Sequence, residues 1–384
     1  MQRTMTSRGQ PATRWRRAVP IDGQNWKIEI MIGVNGRFLG RTVTGVERFA
    51  RMLLNEVHDR VAQGAEPPRW TLLLPPGVVA PAEWPHFSAR TIGKGGGHSW
   101  EQFHLPRAAH GSTLLNLCNS GPVVPRRSLT VVHDALVYDL PGNFSRPYRT
   151  MHRTLGRLIA RRSRIATVSG FSRDRLAAVL GLDPATIPVI PNAADHVDAI
   201  VPDTAIVEQL KLTPGRFLLF VGSFAPNKNL PRALEAFARV AQPDDRLVLV
   251  GAAVKSFSQN GMDTVPPGVI LPGRISDAAL MGLYRGARAL VFPSLYEGFG
   301  IPPLEMMRFG RPVLAGDIPP VREVCGDAAL YVDPMSVDAI AAGMERMLRD
   351  DALVDTLAAR TVARAHAYTW AASADDLIAA LATV

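Results

Sequence analysis

Two carboxylates flank a glycine-rich turn in the stretch SLYEGFGIPPLE, residues 294–305. Pro302 and Pro303 suit the first turn of a helix, because the N–H groups that proline lacks would be unpaired there. Glu305 is therefore predicted in that first turn, and Glu297 in the loop just before it. Ionised carboxylates accept paired hydrogen bonds, which fits the neighbouring hydroxyls of a ribose or a hexose. We expect both side chains to converge on the start of one helix.

The turn between these glutamates adds backbone donors. The N–H groups of Gly298, Phe299 and Gly300 can face a phosphate at a helix N-terminus, where the helix dipole favours an anion. A sugar nucleotide offers hydroxyls and phosphates together, so it fits the whole stretch. The alternative is that Glu305 only complements the helix dipole and Glu297 is a solvated loop residue. Spacing alone does not decide between the two.

Two further candidates lie in the first half of the chain. His133, in LTVVHDALVYDLP, ends a predicted buried strand, and ligands gather at that end of the strands in doubly wound sheets. A lone histidine there can also be a satisfied structural group. Thr44 and Gly45 directly precede an amphipathic helix predicted to begin near Val46. Their backbone either presents N–H groups to an anion or simply starts the helix.

Short apolar runs alternate with amphipathic stretches along the chain, which is typical of β-α units around a parallel sheet. The runs are IEIMIGV, WTLLLP, TLLNLC, LTVVHDA and IATVSG in the first half, and FLLFVGS, LVLVGA, VILPG, ALVFPS and PVLAGD in the second. Helices are predicted near residues 230–240, 277–287, 303–309 and 336–349. A chain of 384 residues exceeds the usual size of a single core. The predicted fold class is therefore α/β, with two Rossmann-like halves built on parallel sheets.

The same patterns predict five segments. Residues 1–25 form a disordered basic N-terminus and residues 26–195 an acceptor-side Rossmann-like domain. Residues 196–215 form a linker, because the strand pattern is lost around them. Residues 216–365 form a donor-nucleotide domain of the same kind. Residues 366–384 form a C-terminal helix that is expected to return to the N-terminal domain.

Composition restricts the classes of partner. The formal net charge is +9, but apart from Trp15 no aromatic residue that could stack on bases is interleaved with the N-terminal arginines, so nucleic-acid binding is not predicted. The chain has no run of eighteen apolar residues and no apolar signal segment, which favours a cytoplasmic location. No Asp-x-Asp motif is present, and His98, His104 and His110 lack ligand spacing, so no metal is predicted.

The stretch SRPYRTMHRTLGRLIARRSR, residues 145–164, predicts a helix with one apolar and one cationic stripe. The apolar stripe comprises Tyr148, Met151, Leu155, Leu158 and Ile159. The cationic stripe comprises Arg149, Arg153, Arg157 and Arg161. The apolar stripe is expected to pack against the protein. The cationic stripe either is solvated or contacts anionic lipid head groups or a pyrophosphate-linked acceptor.

The stretch EGFGIPPLE resembles the E-x7-E signature of the retaining glycosyltransferases of family 4, with Glu297 and Glu305 at its ends. The longer run ALVFPSLYEGFGIPPLEMMRFGRPVLAGDIPPVREVCGDAALYVDP is similar to the same family, and the resemblance covers roughly residues 31–380. It implies the GT-B fold, in which two Rossmann-like domains face each other across a cleft. It also implies that Glu305 holds the ribose hydroxyls of a nucleotide, and Glu297 the hydroxyls of the donor sugar beside the backbone of Phe299 and Gly300.

The resemblance assigns further donor-binding residues in the second half. The turn in FLLFVGSFAPNKNLPRALEAF resembles the phosphate loop of the family, which places Lys228 on the donor diphosphate. The family commonly has an arginine five residues earlier, where this chain has Ser223, so one diphosphate cation is missing or comes from elsewhere. In VILPGRISDAALMGLY, Arg274 and Ile275 would be neighbours of the base, although an arginine at a strand end can equally be a solvated cap.

In the first half, Gly45 resembles the glycine loop that faces the diphosphate and the acceptor, with Thr44 on the acceptor side. The stretch ATVSGFSRDRL resembles the VSxxSR step of the family. This similarity places Ser169 and Ser172 near the cleft on the acceptor side, and Arg173 toward an acceptor phosphate. The residues to which the resemblance gives catalytic roles are His133, Glu297 and Lys228.

These assignments imply a retaining, metal-independent hexosyltransferase that needs no cofactor besides its nucleotide-sugar donor. The leaving phosphate would take the acceptor proton in a front-face substitution, which is favoured over a covalent sugar on an enzyme carboxylate. The stretches TVTGVERFARMLL and VGSFAPNKN resemble bacterial polysaccharide mannosyltransferases. GDP-mannose is therefore the expected donor, and a UDP-sugar carrying glucose or N-acetylglucosamine is the second candidate.

The expected acceptor is a saccharide, or a polyprenyl-diphosphate-linked saccharide at the inner leaflet, in lipopolysaccharide or exopolysaccharide biosynthesis. This would place the protein in the cytoplasm, peripheral to the inner membrane. Two alternatives stay open. A UDP-sugar 2-epimerase of the same fold would isomerise the donor without an acceptor. A non-catalytic family member would tolerate Glu305→Ala without any change in behaviour.

Overall fold

The structure of the protein is a computed structural model, and it describes residues 16–21, 25–67, 69–124, 127–223, 225–251 and 265–384. Near the N-terminus, β1 (Arg16–Ile21) and β2 (Asn25–Ile30) pair as an antiparallel hairpin. The prediction of disorder over residues 1–25 is therefore wrong for β1, which lies within that range. Residues 1–15 and 22–24 of that segment lie outside the described residues.

Two six-stranded sheets form the body of the protein. The strands of the first are β3 (Ile32–Asn35), β4 (Trp70–Leu74), β5 (Ser88–Thr91), β6 (Thr113–Asn116), β7 (Ser128–Val131) and β8 (Arg164–Ala166). Those of the second are β9 (Phe217–Val221), β10 (Arg246–Val250), β11 (Val269–Ile270), β12 (Ala289–Phe292), β13 (Val313–Gly316) and β14 (Ala329–Val332).

Every pairing within these two sheets is parallel, and both have the same strand order. The orders are β5-β4-β3-β6-β7-β8 and β11-β10-β9-β12-β13-β14. In each sheet the chain therefore reverses its direction of growth beside the first strand, which creates the crevice where doubly wound sheets bind ligands. The predicted α/β class with two Rossmann-like parallel sheets is confirmed.

Helices cover both faces of each sheet, which explains why the strands read as continuous apolar runs. The α-helices of the first half are α1 (Gly45–Ala62), α2 (Gly97–Phe103), α3 (Leu105–Ala108), α4 (Leu136–Asp139), α5 (Arg146–Ala160) and α6 (Gly170–Leu180). Those that follow are α7 (Ala205–Gln209), α8 (Leu230–Val240), α9 (Asp277–Gly286), α10 (Ile301–Arg308), α11 (Pro319–Cys325), α12 (Val337–Arg349), α13 (Asp351–His366) and α14 (Trp370–Ala382). Four of these, α8, α9, α10 and α12, match the predicted helices to within about two residues at each end.

Two edge strands were not predicted, β5 and β14. All four residues of β5 are exposed, and its sequence SART contains no apolar run from which a strand could be predicted. Its strand conformation depends on pairing with the buried β4, where Thr71 lies opposite Ser88 and Leu74 opposite Thr91. Pairing with a neighbour therefore decides this element, and the local sequence does not.

The last helix, α14, packs against α1 of the first half. The carboxylate of Asp195 accepts the Trp370 N–H, with both oxygens 3.2 Å from the nitrogen. The Ser373 hydroxyl donates to the carbonyl of Pro191 at 2.8 Å, and Arg60 on α1 bonds to Asp375 at 2.5 Å. The two chain segments that cross between the halves are thus tied to each other.

Helix α5 is less buried than its sequence predicts. Ile159 is its only buried residue, whereas Tyr148, Met151 and Leu158 are exposed. The prediction that the whole apolar stripe packs against the protein is therefore wrong. Arg153 turns inward instead and donates to the backbone carbonyls of the α4 segment. None of the described helices is long and apolar enough to cross a bilayer.

Candidate active site

The start of α10 brings together the residues predicted to bind a sugar nucleotide. The loop after β12 carries Glu297, and Gly300 precedes the helix with a φ of +124°, a conformation that favours glycine. Lys228, from the turn between β9 and α8, lies with its Nζ 2.6 Å from Oε1 and 2.9 Å from Oε2 of Glu297. The two side chains are mostly buried. Lys228 and Glu297, which were predicted to bind different parts of the donor, thus form an ion pair with each other.

Two asparagines fix this geometry by tying the Lys228 turn to the loop after β12. Asn227 donates through its side chain to the carbonyl of Tyr296 at 3.0 Å, and its own carbonyl accepts the Leu295 N–H at 2.8 Å. Asn229 adopts a left-handed backbone with φ +61° and donates to the carbonyl of Pro293 at 3.0 Å. The position of Lys228 is therefore set by buried hydrogen bonds rather than by its own flexible stem.

Glu305 lies in the first turn of α10, as predicted, but in a different environment. Its carboxylate is 5% exposed and accepts the hydroxyl of Tyr284 at 2.8 Å. His196, from the segment between the two halves, places its Nε2 3.5 Å from the other carboxylate oxygen. Burial, followed by the charge of Glu305, raises the pKa of the Tyr284 phenol well above its ordinary value. Glu297 and Glu305 therefore both lie at the start of α10 but have separate partners.

The His196 ring is held from its other side as well. The indole Nε1–H of Trp370 points at His196 Nδ1 at 3.2 Å, so Nδ1 accepts and Nε2 carries the proton toward Glu305. Nothing in the local sequence marked His196, because both of its partners come from distant parts of the chain. Only the fold brings the three residues together.

Gly298 is one of the points where the two halves touch. A Cβ added there would clash with the carbonyl oxygen of His133, so only glycine allows this approach. The Gly298 carbonyl accepts the hydroxyls of Ser169 at 2.6 Å and Ser172 at 3.0 Å. Both serines are fully buried. This differs from their predicted acceptor-side position, because their hydroxyls join the domains and leave no surface for an acceptor.

Arg173 also differs from its prediction. It is partly exposed and bonds to the neighbouring Asp174 at 2.9 Å, away from the cavity described below. Arg173 lies in the first turn of α6, and the N-terminus of that helix is occupied by a carboxylate from the other half. Glu323 accepts the N–H groups of Gly170 at 2.8 Å and Phe171 at 3.1 Å. That N-terminus is therefore already capped by an anion of the protein.

His133 lies two residues after β7, at the carboxyl end as predicted, but its ring makes structural contacts. Its ring nitrogen Nε2 lies 2.9 Å from the carbonyl of Leu117, and its ring stands edge-on to Phe49 at 4.8 Å. Burial lowers the pKa of His133 to about 4. The ring is therefore neutral and already hydrogen-bonded. The part of His133 that meets the loop before α10 is its backbone carbonyl, which lies against Gly298.

Asp134, the next residue, is a site residue that the sequence interpretation missed. Desolvation, and then the neighbouring charge of Glu297, raises the pKa of its carboxyl above the ordinary range. The side chain lines a cavity on the first half and faces the Lys228–Glu297 pair. Its position directly after His133 at the end of a buried strand was the signal that could have found it.

The start of α1 faces the start of α10. A Cβ on Gly45 would lie 3.5 Å from the Cδ1 of Ile301, which places the predicted glycine at the cleft. Thr44 caps α1 together with Glu47, whose carboxylate accepts the Thr44 N–H at 3.2 Å. One turn further, Arg48 reaches across to Asp277 at 3.2 Å. Burial opposes its charge, but the nearby Glu305 and Asp277 raise the pKa of Arg48 above its ordinary value.

The other predicted donor residues lie around this centre. Ser223 is exposed after β9, and its hydroxyl accepts the N–H of Ala225 at 3.4 Å. Arg274 is exposed on the loop between β11 and α9. Ile275 is half-buried and packs against the core. In the described part of the chain, the N–H groups of residues 298–300 donate no hydrogen bond, so they stay available to a ligand.

A cavity of about 390 Å³ adjoins this centre on the first half, at the carboxyl ends of β6 and β7. Its wall includes Thr44 and Asp134 beside the cleft, and His98 and His152 further out. No role was predicted for His98, because its spacing does not suit a metal. The fold places it in a pocket with residues from five other segments of the first half.

A family model described as "Glycosyl transferases group 1" matches residues 203–366. The "O-antigen chain mannosyltransferase B" of Escherichia coli is 30% identical over 256 residues, which cover 64% of this chain and 67% of that protein. The "O-antigen chain mannosyltransferase RfbU" of Salmonella typhimurium is 30% identical over 224 residues, covering 57% and 60%. The "Phosphatidyl-myo-inositol mannosyltransferase" of Mycolicibacterium smegmatis is 28% identical over 287 residues, covering 73% and 70%.

Solved structures with the same architecture include WaaG, "a glycosyltransferase involved in lipopolysaccharide biosynthesis", and Anabaena Alr3699/HepE bound to UDP and glucose. WaaG is 15% identical with a TM-score of 0.69, and the match covers 91% of this chain and 98% of that one. The Anabaena protein is 16% identical with a TM-score of 0.71, covering 93% and 100%. At these identities the likeness concerns the fold, and the predicted GT-B architecture is confirmed.

Proposed function

The chain belongs to the group 1 glycosyltransferases, and from this premise we propose that it transfers mannose from a nucleoside-diphosphate donor to a saccharide acceptor. The observation that carries the proposal is the Lys228–Glu297 pair at the start of α10, next to Gly298, which packs against His133 and Asp134 of the other half. The names of the related mannosyltransferases support the sugar.

In the proposed complex, Lys228 exchanges its carboxylate partner for the donor diphosphate. An ammonium group is a compact cation suited to phosphate oxygens, and the free N–H groups of residues 298–300 add donors at the helix start. Glu297 then accepts hydroxyls of the sugar, and Glu305 accepts those of the ribose. In this proposal Arg274 and Ile275 are the neighbours of the base. This arrangement needs no metal to balance the diphosphate charge, and metal independence stays a prediction.

In the proposed reaction, the bond between the anomeric carbon and the diphosphate oxygen breaks as the acceptor oxygen bonds to the same carbon on the same face. The proton of the acceptor hydroxyl passes to the leaving diphosphate. Negative charge grows on that leaving group, where Lys228 and the backbone N–H groups stabilise it. The neutral, hydrogen-bonded ring of His133 is not a free base, which favours the substrate phosphate as the proton acceptor. The anomeric configuration is retained.

GDP-mannose is the proposed donor, and a UDP-hexose is the second candidate. The acceptor is a saccharide or a lipid-linked saccharide. The exposed Met151 and Leu158 of α5, flanked by the exposed Arg157, Arg161 and Arg162, fit the surface of an anionic bilayer and favour the lipid-linked form. This surface would keep the protein peripheral to the membrane.

The test is incubation with GDP-mannose, UDP-glucose and UDP-N-acetylglucosamine, each with and without an oligomannoside acceptor, followed by chromatography of the released nucleotide. We expect release of GDP that depends on the acceptor, and a product whose NMR spectrum shows the donor anomeric configuration. Isomerised UDP-sugar without an acceptor would indicate the epimerase instead. No turnover of any donor, with Glu305→Ala indistinguishable from wild type in nucleotide binding, would indicate a non-catalytic member.

A further inference from the structure

The side chain of Tyr296 joins the loop before α10 to the first half of the protein. This residue belongs to the second half, directly before Glu297, and it is 8% exposed. Its hydroxyl donates to Oδ2 of Asp139, the last residue of α4, at 3.0 Å. Its ring stands edge-on to Phe171 of α6, with the ring centroids 5.7 Å apart. Two helices of the first half therefore hold one side chain of the loop.

The acceptor of this hydrogen bond is itself fixed by an ion pair. Arg175 of α6 donates to both carboxylate oxygens of Asp139, through Nε at 2.9 Å and Nη2 at 2.5 Å. Burial opposes the charge of Asp139, but the hydrogen bonds from Arg175 and Tyr296 hold its pKa below the ordinary range. Burial, followed by the charges of Asp134 and Asp139, raises the pKa of the Tyr296 phenol. At neutral pH a protonated phenol thus donates to an ionised carboxylate, which gives a charge-assisted hydrogen bond.

Glu297 lies between two residues that bond to the first half. On one side, the hydroxyl of Tyr296 bonds to α4, while its backbone carbonyl accepts the side-chain amide of Asn227, the neighbour of Lys228, at 3.0 Å. On the other side, the Gly298 carbonyl accepts two serine hydroxyls of the first half. The side chain of Glu297 itself bonds to Lys228 of the second half. The position of its backbone is therefore set largely from the other half.

We propose that Tyr296 is a positioning residue for the donor sugar, and that its hydrogen bond to Asp139 keeps Glu297 in place when Lys228 binds the donor diphosphate. Without a donor, the ion pair with Lys228 restrains the Glu297 carboxylate. That restraint is lost once the donor separates the two groups. The bonds at residues 296 and 298 do not involve Lys228, so they can hold the loop in the bound state. The inference rests on the proposed function for the identity of the donor, but not for the restraint on the loop.

The first test compares GDP-mannose with GDP by isothermal titration of the full chain. Tyr296→Phe keeps the ring contact with Phe171 and removes only the hydroxyl. We expect it to weaken GDP-mannose binding roughly tenfold, as for the loss of one hydrogen bond to a charged group, and to leave GDP binding unchanged, because GDP carries no sugar for Glu297. Asp139→Asn keeps an acceptor oxygen and should weaken GDP-mannose less. The double variant should bind no more weakly than Tyr296→Phe alone.

The second test measures the loop without any donor, by hydrogen exchange and mass spectrometry of peptides that cover residues 293–300. The reporter is the Leu295 N–H, which bonds to the Asn227 carbonyl at 2.8 Å. We expect faster exchange in Tyr296→Phe than in wild type. Tyr331→Phe is the matched control, because its hydroxyl donates to the Gly326 carbonyl elsewhere in the second half, and it should change neither exchange nor binding.

The two measurements separate the possible outcomes. Equal weakening of GDP-mannose and GDP by Tyr296→Phe would overturn the inference, because a tyrosine that only joins the two halves would not distinguish the sugar. Unchanged exchange in the loop would also overturn it. If exchange becomes faster but the wild-type protein binds neither GDP-mannose nor UDP-glucose, the proposed function fails and the restraint on the loop stands.

Discussion

The Lys228 ammonium and the Glu297 carboxylate form a two-point ion pair, with Nζ 2.6 and 2.9 Å from the carboxylate oxygens. The proposed donor needs both groups, one for its diphosphate and one for its sugar. Without a donor, the two charges therefore neutralise each other. Donor binding would have to separate the two side chains. A buried pair that loses one member leaves the other uncompensated, which makes the two single variants behave differently.

Lys228→Met and Glu297→Gln test this relationship. We expect Lys228→Met to lower kcat/KM for the donor by about 10²–10³, the usual effect of removing one group that stabilises developing charge. Glu297→Gln should also impair transfer, yet it should bind GDP at least as tightly as wild type, because Lys228 no longer has a competing partner. Isothermal titration with GDP measures this, and parallel loss of GDP binding in both variants would contradict the exchange.

The hydrogen bond from Tyr284 to Glu305 predicts a difference in stability. Tyr284→Phe removes a donor from a buried carboxylate, and such bonds to charged groups contribute about 1.5–3 kcal/mol. Tyr331→Phe is the matched control, because its hydroxyl donates to the neutral carbonyl of Gly326, where about 1 kcal/mol is expected. Denaturant unfolding compares the two. Equal losses would contradict the larger contribution expected of a hydrogen bond to a buried carboxylate.

His196 is expected to position Glu305 for the donor. His196→Ala should raise the donor KM several-fold with a smaller change in kcat, because Glu305 loses the neighbour that orients it. Trp370→Phe, which removes the N–H that fixes the His196 tautomer, should shift the same parameter in the same direction. The double variant should be less than additive in the donor KM. Additive effects on the donor KM would show that Trp370 does not act on Glu305 through His196.

The lowered pKa of His133 predicts a loss of stability in acid. In the unfolded chain this imidazole takes up a proton below about pH 6.5, whereas in the folded protein it does so only near pH 4. The unfolded state binds more protons between these values, so the free energy of unfolding decreases as the pH falls from 6.5 to 4, by roughly 3 kcal/mol at most from this residue. Above pH 6.5 both states are neutral and the term vanishes.

His133→Gln isolates that contribution. Glutamine can donate to the Leu117 carbonyl but does not titrate. We expect the free energy of unfolding of the variant to depend less steeply on pH between 6.5 and 4, as measured by urea unfolding at several pH values. Identical slopes for the two proteins would show that His133 is not kept neutral by burial.

Gly298→Ala should disturb the contact between the two halves at this glycine. The added methyl group would clash with the His133 carbonyl and disturb the bonds from Ser169 and Ser172, and overpacking of this kind costs typically 1–3 kcal/mol. Donor turnover should fall with it. Gly142→Ala has no neighbour within 4 Å and is the control. A Gly298→Ala protein with wild-type stability and turnover would show that the contact is not needed.

The exposed face of α5 predicts binding to anionic membranes. Vesicles that contain phosphatidylglycerol should sediment with the protein, and those of phosphatidylcholine alone should not. Replacing Met151 and Leu158 with serine should release the protein, because the apolar contact is lost while the arginines remain. Arg161→Glu should weaken binding in a salt-dependent way. Transfer to a soluble oligomannoside should be unchanged in each variant.

Much of the donor side could be predicted from the sequence, for local reasons. Pro302 and Pro303 after a glycine-rich turn mark a helix start, so the sequence placed Glu305 in the first turn and Glu297 before it. The apolar runs likewise predicted ten strands and the α/β class, because strands buried on both faces leave a continuous signal in the sequence. These features depend on neighbours a few residues away.

The acceptor side depended on the tertiary structure. Ser169 and Ser172 look like polar cleft residues in sequence, yet the docking of the two halves buries both hydroxyls against Gly298. His196, Arg48 and His98 each have a partner that lies between 61 and 229 positions away in the chain. Sequence periodicity reports which face of an element is apolar. It does not report what that face meets, since burial, ion pairing and cavity shape arise only when separate elements pack together.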